Sequence, residues 1–163
     1  AGVEGNGRGN SEAVPLDVCW KLKGKVVKGF GRGSKQLGIP TANLEPGALK
    51  GKIDDATSGI YCGFAGKGGD SRVYKMVMSI GWNPFFQNLE RTAESWILET
   101  FPDDFYGEEL RLVVCAYIRP ESDFDSLESL IERIHEDARV AKAALDTDKY
   151  ANLSNDSFLN PST

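Results

Sequence analysis

Between Gly29 and Asn43 the chain reads GFGRGSKQLGIPTAN, with glycine at 29, 31 and 33 and cations at Arg32 and Lys35. Glycines lack a Cβ, so backbone N–H groups at those positions can approach a ligand closely, and the two cations add positive charge beside them. A polyphosphate needs that combination. A glycine-rich strand end or bulge with solvated basic side chains is the competing reading. Directly behind lies Pro40-Thr41-Ala42-Asn43, in which a rigid proline precedes a hydroxyl and a carboxamide two residues apart. On an extended chain Thr41 and Asn43 offer two neutral oxygen ligands on one face. Mg²⁺ takes hard oxygens and keeps waters and substrate phosphates in its shell, so two such ligands suffice for a metal delivered with a nucleotide. Taken alone, the same pair reads as turn residues bonding their own backbone.

The spacing excludes the familiar phosphate loops. A P-loop requires Gly-Lys-Ser/Thr, but Ser34 precedes Lys35 and Gln36 follows it. A dinucleotide fingerprint needs a further glycine and a helix behind it, and Pro40 prevents the helix. The Asp123-Phe-Asp125-Ser stretch lacks the threonine of an aspartyl-phosphate phosphatase motif, and Asp125 stands where a helix begins. A nucleotide held here therefore requires a different fold.

The elements that must position these residues follow from patterning. Strand-like runs span Trp20–Phe30, Gly59–Ala65, Arg72–Ile80, Glu94–Phe101 and Glu109–Ile118, separated by Pro46-Gly47, the loop 66–70, the stretch 81–84 and the stretch 102–107. The loop 66–70 reads as a hairpin. Ser71–Ile80 carries apolar residues in both phases, which predicts a strand covered on both faces. From Asp125 the period becomes helical. Leu127, Leu130, Ile131, Ile134, Ala138, Ala141 and Leu145 form one face, while Glu128, Glu132, Arg133, Glu136, Asp137, Arg139 and Lys142 occupy the other. Asp125 with Glu128 suggests a capping box. Many short strands followed by one long helix, without βαβ alternation, imply an antiparallel sheet closed as a small barrel or packed as a sandwich, with the helix on one side. Residues 1–16 and 151–163 read as polar tails around a domain at 17–150.

Composition narrows the partners. The 163 residues suit one globular domain, and the net charge of -5 argues against broad capture of nucleic acid or anionic membrane. Cys19, Cys62 and Cys115 form no Cys-x-x-Cys pair and have only His135 to help, so buried thiols are expected rather than a zinc site. No apolar run approaches the ~20 residues of a membrane-spanning helix. A monomer in the cytoplasm is the expectation. Aromatic residues such as Phe30, Trp82, Phe85 and Phe86 leave a base-stacking barrel as a further, disfavoured reading.

Read in order, GKVVKGFGRGSKQLGIPTANL, SIGWNPFF, TAESWILETFPDDFYGEELRL and YIRPESDFDSLESLIERIHEDARVAKAAL resemble the riboflavin kinases, and the resemblance covers about residues 22–150. Trp96 and the HEDARVAKAAL helix are most similar to plant and green-algal members, in which a phosphatase domain can precede this one. The resemblance implies a mainly β fold, a six-stranded antiparallel Greek-key β-barrel with a long C-terminal helix. It implies transfer of the γ-phosphate of ATP to the 5′-hydroxyl of riboflavin, giving FMN and ADP. Gly29, Gly31, Arg32, Gly33, Ser34, Lys35 and Pro40 would then bind the nucleotide, and Thr41 and Asn43 would hold Mg²⁺, with Zn²⁺ or Mn²⁺ as alternatives. Glu94 would be the general base, and Arg119, Glu121 and Phe124 would contact the flavin. Many members carry His where this chain has Trp96. A residue two along a strand shares the face of Glu94, so a flanking packing role accommodates the difference. His135 is expected to pack on or line the helix surface. A flavin- or nucleotide-binding barrel without turnover remains the alternative.

Overall fold

The computed structural model describes residues 13–27, 41–82, 91–99, 101 and 105–160. Six strands, β1 (Val14–Val27), β2 (Ala42–Leu44), β3 (Gly59–Lys67), β4 (Val73–Trp82), β5 (Arg91–Ile97) and β6 (Glu109–Arg119), precede helix α1 (Leu127–Leu145) and a short helix α2 (Asp148–Ala151). They close into a barrel in the order β1-β2-β5-β4-β3-β6. Every adjacent pair is antiparallel. The run β3-β4-β5 is a meander, with β2 lying beside β5 in Greek-key fashion.

Alternation along the strands fills both sides of this sheet. On β4, Tyr74, Met76, Met78 and Ile80 point into the barrel, where they meet Leu22, Leu110, Leu112 and Val114. Val77, in the opposite phase, lies under the helical layer with Cys62, Phe64, Val113, Cys115, Val140 and Ala141. The hairpin expected at 66–70 is the β3-β4 connection. β3 and β6 approach so closely that a Cβ at Gly63 would lie 1.9 Å from the Val113 carbonyl oxygen, next to an irregularity in their register between Cys62 and Gly63.

Several local expectations change. β1 begins at Val14, inside the stretch read as a tail, because Val14 and Pro15 pair with β6. β2, three residues long, is too short to show a period of its own. The strand expected at Glu94–Phe101 runs from Arg91 to Ile97. Helix α1 is capped by Ser126 with Ser129, which exchange side-chain to backbone hydrogen bonds, and not by Asp125 with Glu128. Leu127, expected on the buried face, is exposed, whereas Asp137, expected on the polar one, is 2% exposed. The segment expected as a C-terminal tail packs onto the barrel: a 3₁₀ turn spans Asn152–Asn155, Leu159 is fully buried, and Arg111 Nε donates to the Leu159 carbonyl at 3.1 Å. No helix among the described residues is long and apolar enough to cross a membrane.

Candidate active site

Antiparallel pairing sets side chains of directly opposed residues on the same face of a sheet. Asn43 on β2 opposes Glu94 on β5, Glu94 opposes Ser79 on β4, Ser79 opposes Ile60 on β3, and Ile60 opposes Arg119 on β6. One row thus runs across the barrel's outer face. The next row, Ala42, Ser95, Met78 and Tyr61, is buried and belongs to the inside. Two residues expected to serve metal and acceptor chemistry, Asn43 and Glu94, are therefore cross-strand neighbours, at the ~4.5–5.5 Å Cα separation of such pairs. Thr41 lies at the entry to β2, two residues before Asn43 and on its side of the chain.

Asn43 is 9% exposed, and its Oδ1 is buried with no hydrogen-bond partner among the described residues. A buried carbonyl oxygen lacking a donor is costly unless a ligand or cation completes it. Together with the Thr41 hydroxyl and the neighbouring Glu94 carboxylate it forms a set of hard oxygens, which suits a divalent cation such as Mg²⁺ and gives no soft donor for thiophilic metals.

The segment after β6 covers the same face. Gly81 is two residues beyond Ser79 on β4 and pairs with Thr92, itself two residues before Glu94. A Cβ at Gly81 would meet Glu121 Oε2 at 3.0 Å, so the Glu121 carboxylate occupies the space that this glycine leaves open. Phe124 stacks its ring toward Arg119, whose guanidinium carbon is 5.7 Å from the ring centroid. Arg119 itself is withheld from solvent: it is 7% exposed, Nε and Nη2 donate to the two carboxylate oxygens of Asp137 on α1 at 2.8 Å each, and Nη1 donates to the Pro120 carbonyl. Arg133 Nε also donates to Asp137, at 3.4 Å. Beside Glu94 on β5, Trp96 meets His135 of α1 edge to face, with centroids 5.7 Å apart and planes at 84°. That contact gives both residues a packing role.

The structure brings together Asn43, Glu94 and the Glu121 segment. Asp137 is the residue that sequence reasoning missed, since helical periodicity counts it among solvated charges; an acidic residue one position from the apolar Ala138 was the only available signal. Gly29, Gly31, Arg32, Gly33, Ser34, Lys35 and Pro40 lie outside the described residues, as do Phe30, Phe85 and Phe86.

The riboflavin kinase (Flavokinase) family model matches residues 16–145. A bifunctional riboflavin kinase/FMN phosphatase of Arabidopsis thaliana is 55% identical over 146 residues, which are 90% of this chain and 38% of that protein. The chain thus spans well under half the length of that relative. Riboflavin kinase of Mus musculus is 49% identical over 136 residues, covering 83% of this chain and 87% of the mouse protein. The crystal structure of riboflavin kinase from Trypanosoma brucei superposes with a TM-score of 0.71 at 23% identity, covering 90% of this chain and 92% of that one, and so shares the barrel and helix. With a matching family model over most of its length, relatives at about half identity and the same closed barrel, the chain belongs to the riboflavin kinase family.

Proposed function

We propose that this chain is an ATP-dependent riboflavin kinase whose chemistry takes place on the outer face of β2, β5 and β4. The observation that carries the reading is the adjacency of Asn43 and Glu94, with a carbonyl oxygen on the first that has no hydrogen-bond partner among the described residues. Phosphoryl transfer asks little covalent chemistry of a protein. It needs an acceptor in line with the transferred group, charge compensation on the phosphates and a base for the acceptor proton. Glu94 holds the 5′-hydroxyl of riboflavin and takes its proton as the oxygen bonds to the γ-phosphorus and the bond to the β,γ-bridging oxygen breaks, releasing ADP.

Thr41 and Asn43 hold the divalent cation, Mg²⁺ being the best match to their oxygens and Mn²⁺ or Zn²⁺ the alternatives. When bound, that cation supplies charge neutralisation on the triphosphate. Gly29 to Lys35, with Pro40, bind the nucleotide phosphates on this reading. Glu121 and Phe124 face the acceptor. Incubating the chain with riboflavin and ATP, with and without Mg²⁺, and resolving flavins chromatographically tests substrate, donor and metal together. FMN formed only with both ATP and metal is expected. Tight binding of riboflavin without FMN would instead identify a flavin-binding module.

A further inference from the structure

We propose that Asp137 is a positioning residue for riboflavin: through its bidentate pair with Arg119 it fixes the 120–126 segment over the acceptor side of the site. The inference rests on the kinase reading above and assigns Asp137, buried midway along α1, a part in substrate binding.

The segment is held at both ends. At its start Arg119 leaves β6 in the same cross-barrel row as Glu94, yet spends its guanidinium on Asp137 and on the Pro120 carbonyl. Its end is closed by the reciprocal Ser126–Ser129 cap, which fixes the angle at which α1 begins. Between those points Phe124 folds back on the Arg119 guanidinium, and Glu121 reaches the space above Gly81. Pro120 and the exposed Glu121, Ser122 and Asp123 give the segment no core of its own. Its course past Gly81 is therefore set by where Arg119 is anchored. A bidentate fork fixes direction as well as distance, which a single charge cannot do. The Asp137 side chain is 3% exposed and that of Arg119 8%, so water cannot replace either partner.

Asp137→Asn keeps the shape and one acceptor while removing the charge; Arg119→Lys keeps the charge and removes the fork. Each is expected to raise the riboflavin KM, and the riboflavin dissociation constant read by flavin fluorescence, roughly tenfold or more, leaving the ATP KM within about twofold. The double variant is expected to lose little more than either single one, because both changes break the same pair. Riboflavin constants unchanged in variants that fold would overturn the inference. So would a rise in riboflavin and ATP constants together, in step with a lowered unfolding midpoint, since a merely structural role does that. If Asp137→Asn does not fold, Arg119→Lys retains an ion pair and carries the same comparison. A wild-type chain that makes no FMN sinks the kinase reading and this inference with it; a wild-type chain that makes FMN beside variants with normal riboflavin constants sinks the inference alone.

Discussion

Asn43 and Glu94 meet because β2 pairs with β5, and the two side chains make opposite demands of a test. Glu94→Gln preserves size and hydrogen bonding but cannot accept a proton, so kcat is expected to fall at least ~10²-fold with little change in ATP affinity. Wild-type turnover in that variant, measured as FMN formed per enzyme, would strip Glu94 of the role. Asn43→Ala removes a buried oxygen that makes no hydrogen bond among the described residues, so its loss should cost little stability. The same change is expected to raise the Mg²⁺ concentration for half-maximal activity by roughly tenfold or more. An unchanged metal titration would remove Asn43 from the ligand set. Thr41 and Asn43 were legible as a pair of oxygens on one face of an extended chain, and Glu94 through family resemblance. Their adjacency was not legible, because pairing partners in a barrel are set by closure and leave no trace in local spacing. Arg119 read as a flavin contact; its pair with Asp137, a residue of another element, left no mark in the sequence.

At the scale of elements, β3 and β6 lie close together where Gly63 leaves room for the Val113 carbonyl. Gly63→Ala would place a methyl group into backbone on a neighbouring strand. A rigid ladder cannot yield as the end of a flexible side chain would. The expected destabilisation is about 1–3 kcal/mol, read from urea unfolding midpoints, and full wild-type stability would mean that the strands separate more easily than the register implies. Helix α1 was legible from Leu127 to Leu145 because its apolar period persists over several turns. Its cap was misassigned to Asp125 and Glu128: both serine and acidic residues satisfy helix starts, and only the backbone turn at Ser126 distinguishes them. β2 escaped notice for the reverse reason, three residues being too few to carry a pattern.

Across the whole molecule, the C-terminal helices and the segment through Leu159 bury one side of the barrel and with it the thiols. All three cysteines are free. Burial pushes the Cys62 thiol up to about 12, and burial, followed by the charges of Cys62 and Cys19, pushes Cys115 up as well. The folded state thus prefers these thiols neutral. An unfolded chain loses its thiol protons first, from ~8.5 upward, so this stabilisation is complete below that pH and is lost as pH rises toward the folded values. Under reducing conditions the unfolding midpoint is expected to fall between pH 7.5 and 9.5, below the range in which tyrosines titrate in unfolded chains (about 10), and to fall less in Cys62→Ala. Alkylation of the native protein at about pH 8 should reach Cys19, which is half-buried, while sparing Cys62 and Cys115 until denaturant is added. Equal alkylation of all three would show that the helical layer opens readily.

The sequence by itself determined the strand-rich body, the single long helix, the absence of any familiar phosphate loop and the membership of a phosphotransferase family, since these rest on periodicity, turn chemistry and extended motifs carried by consecutive residues. Tertiary structure alone decided that Asn43 neighbours Glu94, that Glu121 settles above Gly81, and that Asp137 is a buried anchor and not a solvated charge. Each of those facts joins residues from different parts of the chain, two strands, a strand and the segment after β6, or a strand and a helix, and only closing the barrel and laying α1 against it brings them within reach.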